Sequence, residues 1–409
     1  MTGEILFLAH RIPFPPNRGD KIRSHHVLKA LAALAPVHVG CFAETAADRA
    51  YEGELAALAA SHCMPRRSKP LPFAGVEAMA RGLPVSLTAF HHPDLAEFVV
   101  RTLREQKIGT IYVFSGQMGQ YVPRDWAGRL VVDLVDVDSA KFEQYARERG
   151  GPMAGINARE ARLLRDHEAR MARIADRTLL VSEAEADLLR SRLPAGSSAR
   201  IEALGNGIDA EAFDPARWAP HEELGATPGP HLVFTGQMDY SPNVEAVRRM
   251  AVSILPLIRE VHPQARFHAV GRAPTAELRA LDGKDGVCVW GEVPAVQPFL
   301  AAADLVVAPL DLARGIQNKV LEAMAMGRPV VLTPGAATGI DAVDRVHWAV
   351  RESDAAFASA ALDVLADPAR SAAIGKAARE FVIERMSWPA MLARLPEIVG
   401  GAGGQRHAA

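Results

Sequence analysis

The sequence predicts an α/β fold of two Rossmann-like, doubly wound parallel-sheet domains, closed by a broken helix near the C-terminus. Three observations lead there. Strand-sized apolar runs alternate with helical periodicity through both halves of the 409-residue chain, as parallel sheets with crossover helices require. The turn signal Asn206-Gly207, followed by four prolines between Asp214 and Pro230, separates the halves. The helical pattern from Phe381 to Val399 breaks at Ser387-Trp388-Pro389, where proline removes a backbone donor.

The elements follow in order. Ile5 to Ala9 reads as a buried strand, His10 to Asp20 as a loop, and Lys21 to Ala35 as a helix with Val27, Leu28, Leu31 and Leu34 on one face. Further strands are expected at Val37 to Phe42, Thr110 to Phe114, Leu130 to Leu134, Thr178 to Val181 and Arg200 to Ala203. A charged helical region from Ala140 to Asp176 is interrupted at Gly150, Gly151 and Pro152. The second half places strands at His231 to Thr235, Arg266 to Val270, Val287 to Trp290, Leu305 to Pro309, Pro329 to Leu332 and His347 to Val350. The expected domains are residues 1–205 with the crossing helix 385–400, and residues 206–384, followed by a flexible tail 401–409. Hinges fall near Leu204 to Asp209 and Ser387 to Pro389, with Trp388 anchoring the crossing.

A hydrophobic content of 49%, charged content of 23% and net charge of −2 describe an ordinary globular chain with no call for a nucleic-acid partner. Three widely spaced cysteines without a CxxC fit a reducing compartment. No apolar run reaches 18 residues and no signal peptide opens the sequence. A cytoplasmic location is expected.

The most informative stretch is Asp304 to Thr333, DLVVAPLDLARGIQNKVLEAMAMGRPVVLT. It reads as strand, polar loop, helix from Asn318 to Met326, and strand, with Gly327 ending the helix. Val320, Leu321, Met324 and Ala325 form its apolar stripe, so Asn318, Lys319 and Glu322 share the other flank. Such a helix start aims N–H groups, and a carboxylate one turn on, at the crevice beyond the strand ends. An ordinary strand–helix–strand unit with Glu322 in solvent fits the pattern as well.

This run resembles the donor-site signature of GT-B glycosyltransferases of glycosyltransferase family 4, in which two Glu residues separated by seven others precede an A-M-A-x-G-x-P-V-V tail. The resemblance implies two domains facing a cleft and a C-terminal helix crossing back to the first domain. ADRTLLVSEAEADLL (Ala175 to Leu189), IEALGNGIDAEAFDP (Ile201 to Pro215) and VFTGQMDYSPNVEAV (Val233 to Val247) resemble further family segments. RIPFPPNRGDKIRS (Arg11 to Ser24), VDLVDVDSAKF (Val132 to Phe142) and RGIQNKVLEAMAMGRPVV (Arg314 to Val331) are similar to exosortase/PEP-CTERM-associated sugar transferases of bacterial exopolysaccharide loci. The resemblance implies a retaining, metal-independent hexosyl transfer from a nucleotide diphosphate-sugar to a saccharide or lipid-linked saccharide. The donor is then a substrate, and no other cofactor is implied. It gives Glu322 the role of holding the ribose hydroxyls, with Gly315, Ile316, Gln317 and Asn318 beside the donor.

The sequence departs from the pattern in three places. The first Glu falls on Arg314. The donor loop carries Gly236-Gln237 and Asn243 where the family usually has Gly-Arg and then Lys. Charge on the departing diphosphate must still be met, so Lys319 is the leading candidate cation, followed by Arg314 and Arg272. In the first domain Gly19 and Asp20 occupy the loop after the first strand, a plain turn being the alternative. Asp133, Asp136 and Asp138 crowd a strand end, with Asp136 taken as a catalytic candidate. One strand cannot project all three to a single metal. No His occurs between His92 and His167 to match the family's sugar-contacting one.

His10, His25, His26, His91 and His92 are read as structural or surface groups, adjacent pairs pointing apart in extended backbone. Arg66, Arg67 and Lys69 beside Pro70 to Phe73 suggest peripheral contact with anionic lipid at the inner membrane, against a plain solvated loop. Two further readings remain open: a nucleotide-sugar epimerase of the same fold, and a catalytically inert sugar-nucleotide-binding protein.

Overall fold

The computed structural model describes residues 3–148, 150–311 and 316–400. Two compact units result. One takes the chain up to Asn206 and again from Met391 onward; the other is Gly207–Ala390. The chain thus passes between units after Asn206 and after Ala390.

The first unit has a seven-stranded sheet of β1 (Glu4–Ala9), β2 (Val37–Gly40), β3 (Ser61–Cys63), β4 (Ile108–Phe114), β5 (Arg129–Val135), β6 (Arg177–Leu180) and β7 (Ile201–Ala203). Its order is β3-β2-β1-β4-β5-β6-β7, all parallel. The second has β8 (His231–Thr235), β9 (Arg266–Val270), β10 (Val287–Gly291), β11 (Leu305–Ala308), β12 (Val330–Leu332) and β13 (Ala349–Val350). Its order is β10-β9-β8-β11-β12-β13, again parallel. Each sheet reverses direction of growth beside its first strand, the point where doubly wound sheets open a crevice beyond their strand ends.

The central strands bury nearly every residue, as continuous Val, Leu and Ile runs in a two-faced parallel sheet must. The edge strand β3 is the strand the sequence reading lacks. Its three residues, Ser-His-Cys, are only half-buried and carry no apolar run, so periodicity had nothing to register.

The last described segment belongs to the first unit. Thr110 Oγ1 donates to the Val399 carbonyl at 3.1 Å, and Arg129 Nε to that of Ile398 at 2.6 Å. Trp388, read from the sequence as an anchor for the crossing, is instead buried within the second unit. Its N–H donates to Ile208 at 3.2 Å, while the Ile208 N–H donates to Met386 at 2.8 Å. A Cβ at position 207 would lie 2.5 Å from the Trp388 nitrogen, so this pairing needs glycine there.

A buried imidazole chain crosses the N-terminal side of the second sheet. Trp290 Nε1 donates to His268 Nδ1, His268 Nε2 meets His231 Nδ1, and His231 Nε2 meets the Thr227 carbonyl, each at 3.0 Å. Indole is a donor only and a carbonyl an acceptor only, so both imidazoles are neutral and each tautomer is fixed. Burial, then the neighbouring His231 and Arg266, pushes His268 down to about 3. Its folded value lies below its unfolded one, so the stabilisation is complete above about pH 6.5 and drains away as pH falls towards 3. Between pH 6.5 and 5 the wild type should lose at most about 2 kcal/mol through this group. Urea unfolding of His268→Gln should show a shallower pH dependence over that window; parallel curves would remove His268 as the cause.

Candidate functional site

The second unit assembles most of the residues singled out in the sequence at the C-terminal ends of β8, β9 and β11. β8 runs into Gly236 and β9 into Gly271, and these two glycines lie against each other. A Cβ on Gly271 would sit 1.6 Å from the Gly236 carbonyl oxygen; one on Gly236 would sit 2.8 Å from Asn243 Nδ2 and 3.0 Å from Lys319 Nζ. Close approach, of backbone at 271 and of the Asn243 and Lys319 side chains at 236, favours glycine at both places. The loops after these strands are joined by Met238 N–H donating to the Arg272 carbonyl at 2.9 Å, and by Arg272 Nη2 donating to Gln237 Oε1 at 2.9 Å. Gln237 and Arg272 are exposed.

The helix Asn318–Ala325 follows β11. It buries Val320, Leu321, Ala323, Met324 and Ala325 and ends at Gly327, whose φ of 65° suits glycine. Asn318 is exposed at its start, and the Gln317 cap makes no side-chain capping bond. Ile316 packs against Gly339 and the core of the second unit. Arg314 and Gly315 lie outside the described residues.

Lys319 turns inward from this helix. Its Nζ donates to Asn243 Oδ1 at 2.5 Å and stands 4.3 Å from the centre of the Phe234 ring. Asn243 in turn donates through Nδ2 to the Gln237 carbonyl at 2.8 Å. The ammonium therefore sits beside the segment that carries Gln237 and Asn243 where the sequence lacks the expected cations. Burial pushes Lys319 down to about 8, against the pull of Glu322. Burial likewise pushes Glu322 up to about 7, with Lys319 drawing it the other way. The two groups stand one helical turn apart, both half-buried, each favouring the charged form of the other. Asn243 and the Phe234 platform were not marked by sequence reasoning as site residues. An amide is a weak motif, and Phe234 reads simply as strand core.

In the first unit the corresponding strand ends are more committed. Gly19 is not in a loop: it is the first residue of the helix Gly19–Ala32, exposed, with open space where a Cβ would go. Asp20 in the same turn is paired with Arg11, Arg18 and His10. Burial acts to raise its carboxyl, but hydrogen bonds from His10 and Arg11 hold it well below the usual range. Arg11 and Arg67 both reach Glu44, extending the network.

The acidic trio separates. Asp133 is fully buried and pairs with Arg23 through two hydrogen bonds of 3.1 Å, while Tyr112 Oη donates to it at 2.9 Å. Arg23 also donates to the Leu204 and Gly205 carbonyls at 2.7 and 3.3 Å and to Asn206 Oδ1 at 3.0 Å. Asp133 is therefore a structural partner, not a reacting acid. Asp136 lies at the surface just past β5; partial burial and the charges of Glu185 and Asp138 push its carboxyl up. Asp138 begins the helix Asp138–Glu148, and burial raises it too. Val135, just before Asp136, has φ of 71°, and Ser115 at the neighbouring strand end has φ of 76°. A β-branched residue there costs of order 1–3 kcal/mol, and such strain collects at functional edges.

The histidines take mostly structural places. His10 stacks on Phe114, His91 on Tyr121, and His92 Nδ1 caps the helix Pro93–Glu105 by accepting from Asp94 N–H at 3.3 Å. His25 and His26 lie on a helix, not on extended chain, so their rings meet edge to face at 5.2 Å instead of pointing apart.

Residues 229–367 match the family model described as "Glycosyl transferases group 1". The fold is GT-B. Over 98% of this chain and 97% of the other, it resembles the N-terminal domain of Candida albicans trehalose-6-phosphate phosphatase, with TM-score 0.63 and 13% identity. It also resembles the Anabaena protein HepE solved in complex with UDP, covering 97% of this chain and 99% of that one at TM-score 0.61 and 16% identity. The GDP-mannose-dependent alpha-(1-6)-phosphatidylinositol monomannoside mannosyltransferase of Mycolicibacterium smegmatis is 30% identical over 232 residues. That match takes in 52% of this chain and spans 59% of the relative's length. Among the described residues, no helix is long and apolar enough to cross a membrane.

Proposed function

We propose that this GT-B chain is a retaining glycosyltransferase of the family 4 type, moving a hexose from a nucleotide diphosphate-sugar to a saccharide or lipid-linked saccharide. The observation that carries the reading is the Lys319–Glu322 pair beside Gly236, inside the segment that matches the glycosyltransferase group 1 model. Glu322 takes the ribose hydroxyls, and the Lys319 ammonium meets the diphosphate as charge grows on its bridging oxygen. Gln317, Asn318 and the Gly236-Gln237 loop line the donor, and Arg272 stands at its rim. Acceptor deprotonation falls to a donor phosphate oxygen, so no dedicated protein base is assigned. On this reading the reaction belongs to bacterial exopolysaccharide or cell-surface glycan synthesis on the cytoplasmic side and uses no metal in the transfer step.

A thermal-shift series with UDP-, GDP- and ADP-sugars tests this. A ligand at 100 times its dissociation constant stabilises by about 2.7 kcal/mol, a shift of several degrees for units of this size. Glu322→Gln should weaken the preferred donor at least tenfold, since each charge-assisted bond is worth about 1.5–3 kcal/mol, while leaving the unliganded melting temperature nearly unchanged. Unaltered affinity would take Glu322 out of the site. The arginine at position 314, where a carboxylate is usual, favours one second reading: a binding protein without turnover. It would take up nucleotide-sugar yet release no free nucleotide with any acceptor. Conversion of the donor sugar without an acceptor would mark an epimerase.

A further inference from the structure

The helix Leu71–Arg81 is turned inside out. Ala74 and Ala78 face the protein, whereas Leu71, Phe73, Val76 and Met79 are 62, 71, 71 and 67% exposed. An ordinary surface helix buries its large apolar residues and shows its small ones. The orientation is fixed from several sides. Thr88 Oγ1 donates to the Ala74 carbonyl at 2.9 Å, and Arg159 reaches the carbonyls of Ala78 and Leu83 at 2.9 and 3.2 Å. Arg159 thereby ties in the start of the helix Pro152–Ile174, where Met153 and Ile156 are exposed as well.

Positive charge stands near both ends of the first helix and farther along the second. Farther along the second helix, Arg162 and Arg165 face Arg147 of the helix Asp138–Glu148 across an open groove. Neither Arg162 nor Arg165 forms an ion pair with any described residue. Arg66 and Arg81 are exposed near the two ends of the Leu71–Arg81 helix. Of the acids on these faces, Glu77 is held by Lys69 and Arg81, and Glu143 by Arg192. The basic cluster expected from the sequence is thus corrected. Arg67 is held by Glu44, Lys69 and Arg81 by Glu77, and Arg147 by Glu143, so among the described residues the charge without an ion pair lies on Arg66, Arg162 and Arg165.

We propose that this face docks the protein on an anionic phospholipid surface, with Leu71, Phe73, Val76 and Met79 entering the headgroup–acyl boundary and the arginines meeting lipid phosphates. A second copy is the poorer occupant, because a two-fold contact would set one arginine border against another. The purpose of docking, presenting a lipid-linked acceptor, rests on the glycosyltransferase reading. Vesicle binding itself needs neither donor nor acceptor, so the two ideas fail separately.

The test is sedimentation of the full chain with phosphatidylcholine vesicles, with and without phosphatidylglycerol. Binding should require phosphatidylglycerol and weaken as salt screens the charge. Phe73→Ser with Val76→Ser should lower the partition coefficient at least about tenfold, with an unchanged melting temperature and unchanged nucleotide-sugar binding. Arg162→Gln with Arg165→Gln should flatten the dependence on phosphatidylglycerol. The proposal is overturned by equal binding of wild type and the Phe73/Val76 variant, by absence of lipid binding, or by a dimer that the same double substitution dissolves.

Discussion

Lys319→Ala is expected to lower turnover by roughly 10²–10³, the scale of removing one preorganised electrostatic contact. The substituted chain should lose affinity for a nucleoside diphosphate far more than for the nucleoside, because only the former carries the charge. Lys319→Arg should rescue poorly: the ammonium fits between Asn243 Oδ1 and the Phe234 ring, 3.0 Å from where a Gly236 Cβ would stand, and a planar guanidinium has another shape. Titration supplies an independent check. Burial holds free Lys319 down to about 8, whereas a bound diphosphate would favour its charged form. Binding above that pH then takes up a proton, and affinity should fall by up to about tenfold per pH unit. That slope should vanish in Lys319→Ala. Equal losses for nucleoside and diphosphate would make the lysine structural and pass its role to Arg314 or Arg272.

The second large effect is on stability. Arg23→Leu leaves the Asp133 carboxylate buried without its ion partner, which costs about 3–5 kcal/mol. For a unit of this size that is a fall in melting temperature of roughly 10 °C. Arg23→Leu with Asp133→Leu should cost clearly less than the sum of the single changes, because the double change leaves no uncompensated charge. Additive losses in urea unfolding would mean that the two groups are not coupled. The substitution also frees the carbonyls of Leu204 and Gly205, so proteolysis near Asn206 should quicken in parallel.

The sheets were legible because their strands are continuous apolar runs separated by crossover helices, and β1, β8, β9 and β11 appear where Ile5, His231, Arg266 and Leu305 announced them. The helix after β11 was legible for the same reason: Val320, Leu321 and Met324 recur at helical spacing and Gly327 stops it. Partnerships were not legible. Nothing in VDLVDVDSAKF says that Asp133 belongs to Arg23, 110 residues earlier, or that both belong to Leu204. Those links depend on which strand lies beside which, information that a single sequence does not display. The helix Leu71–Arg81 was not legible either: prolines at 70 and 72 read as loop, and its buried side shows only Ala74 and Ala78, too small to announce an apolar stripe.

The way the first sheet is closed bears on how the protein is made. Residues 207–390 are one uninterrupted piece, whereas the first unit needs Ile398 and Val399 to satisfy Arg129 and Thr110. A ribosome that has released only the first 206 residues has not yet delivered that edge. The second unit, though synthesised later, can complete itself while the first still waits for its final strap, inverting the usual order in which domains mature from the N-terminus. Cutting the gene at codon 206 would therefore separate a self-sufficient half from an unfinished one, and a single-chain first domain would need residues 391–400 sewn back onto its own end.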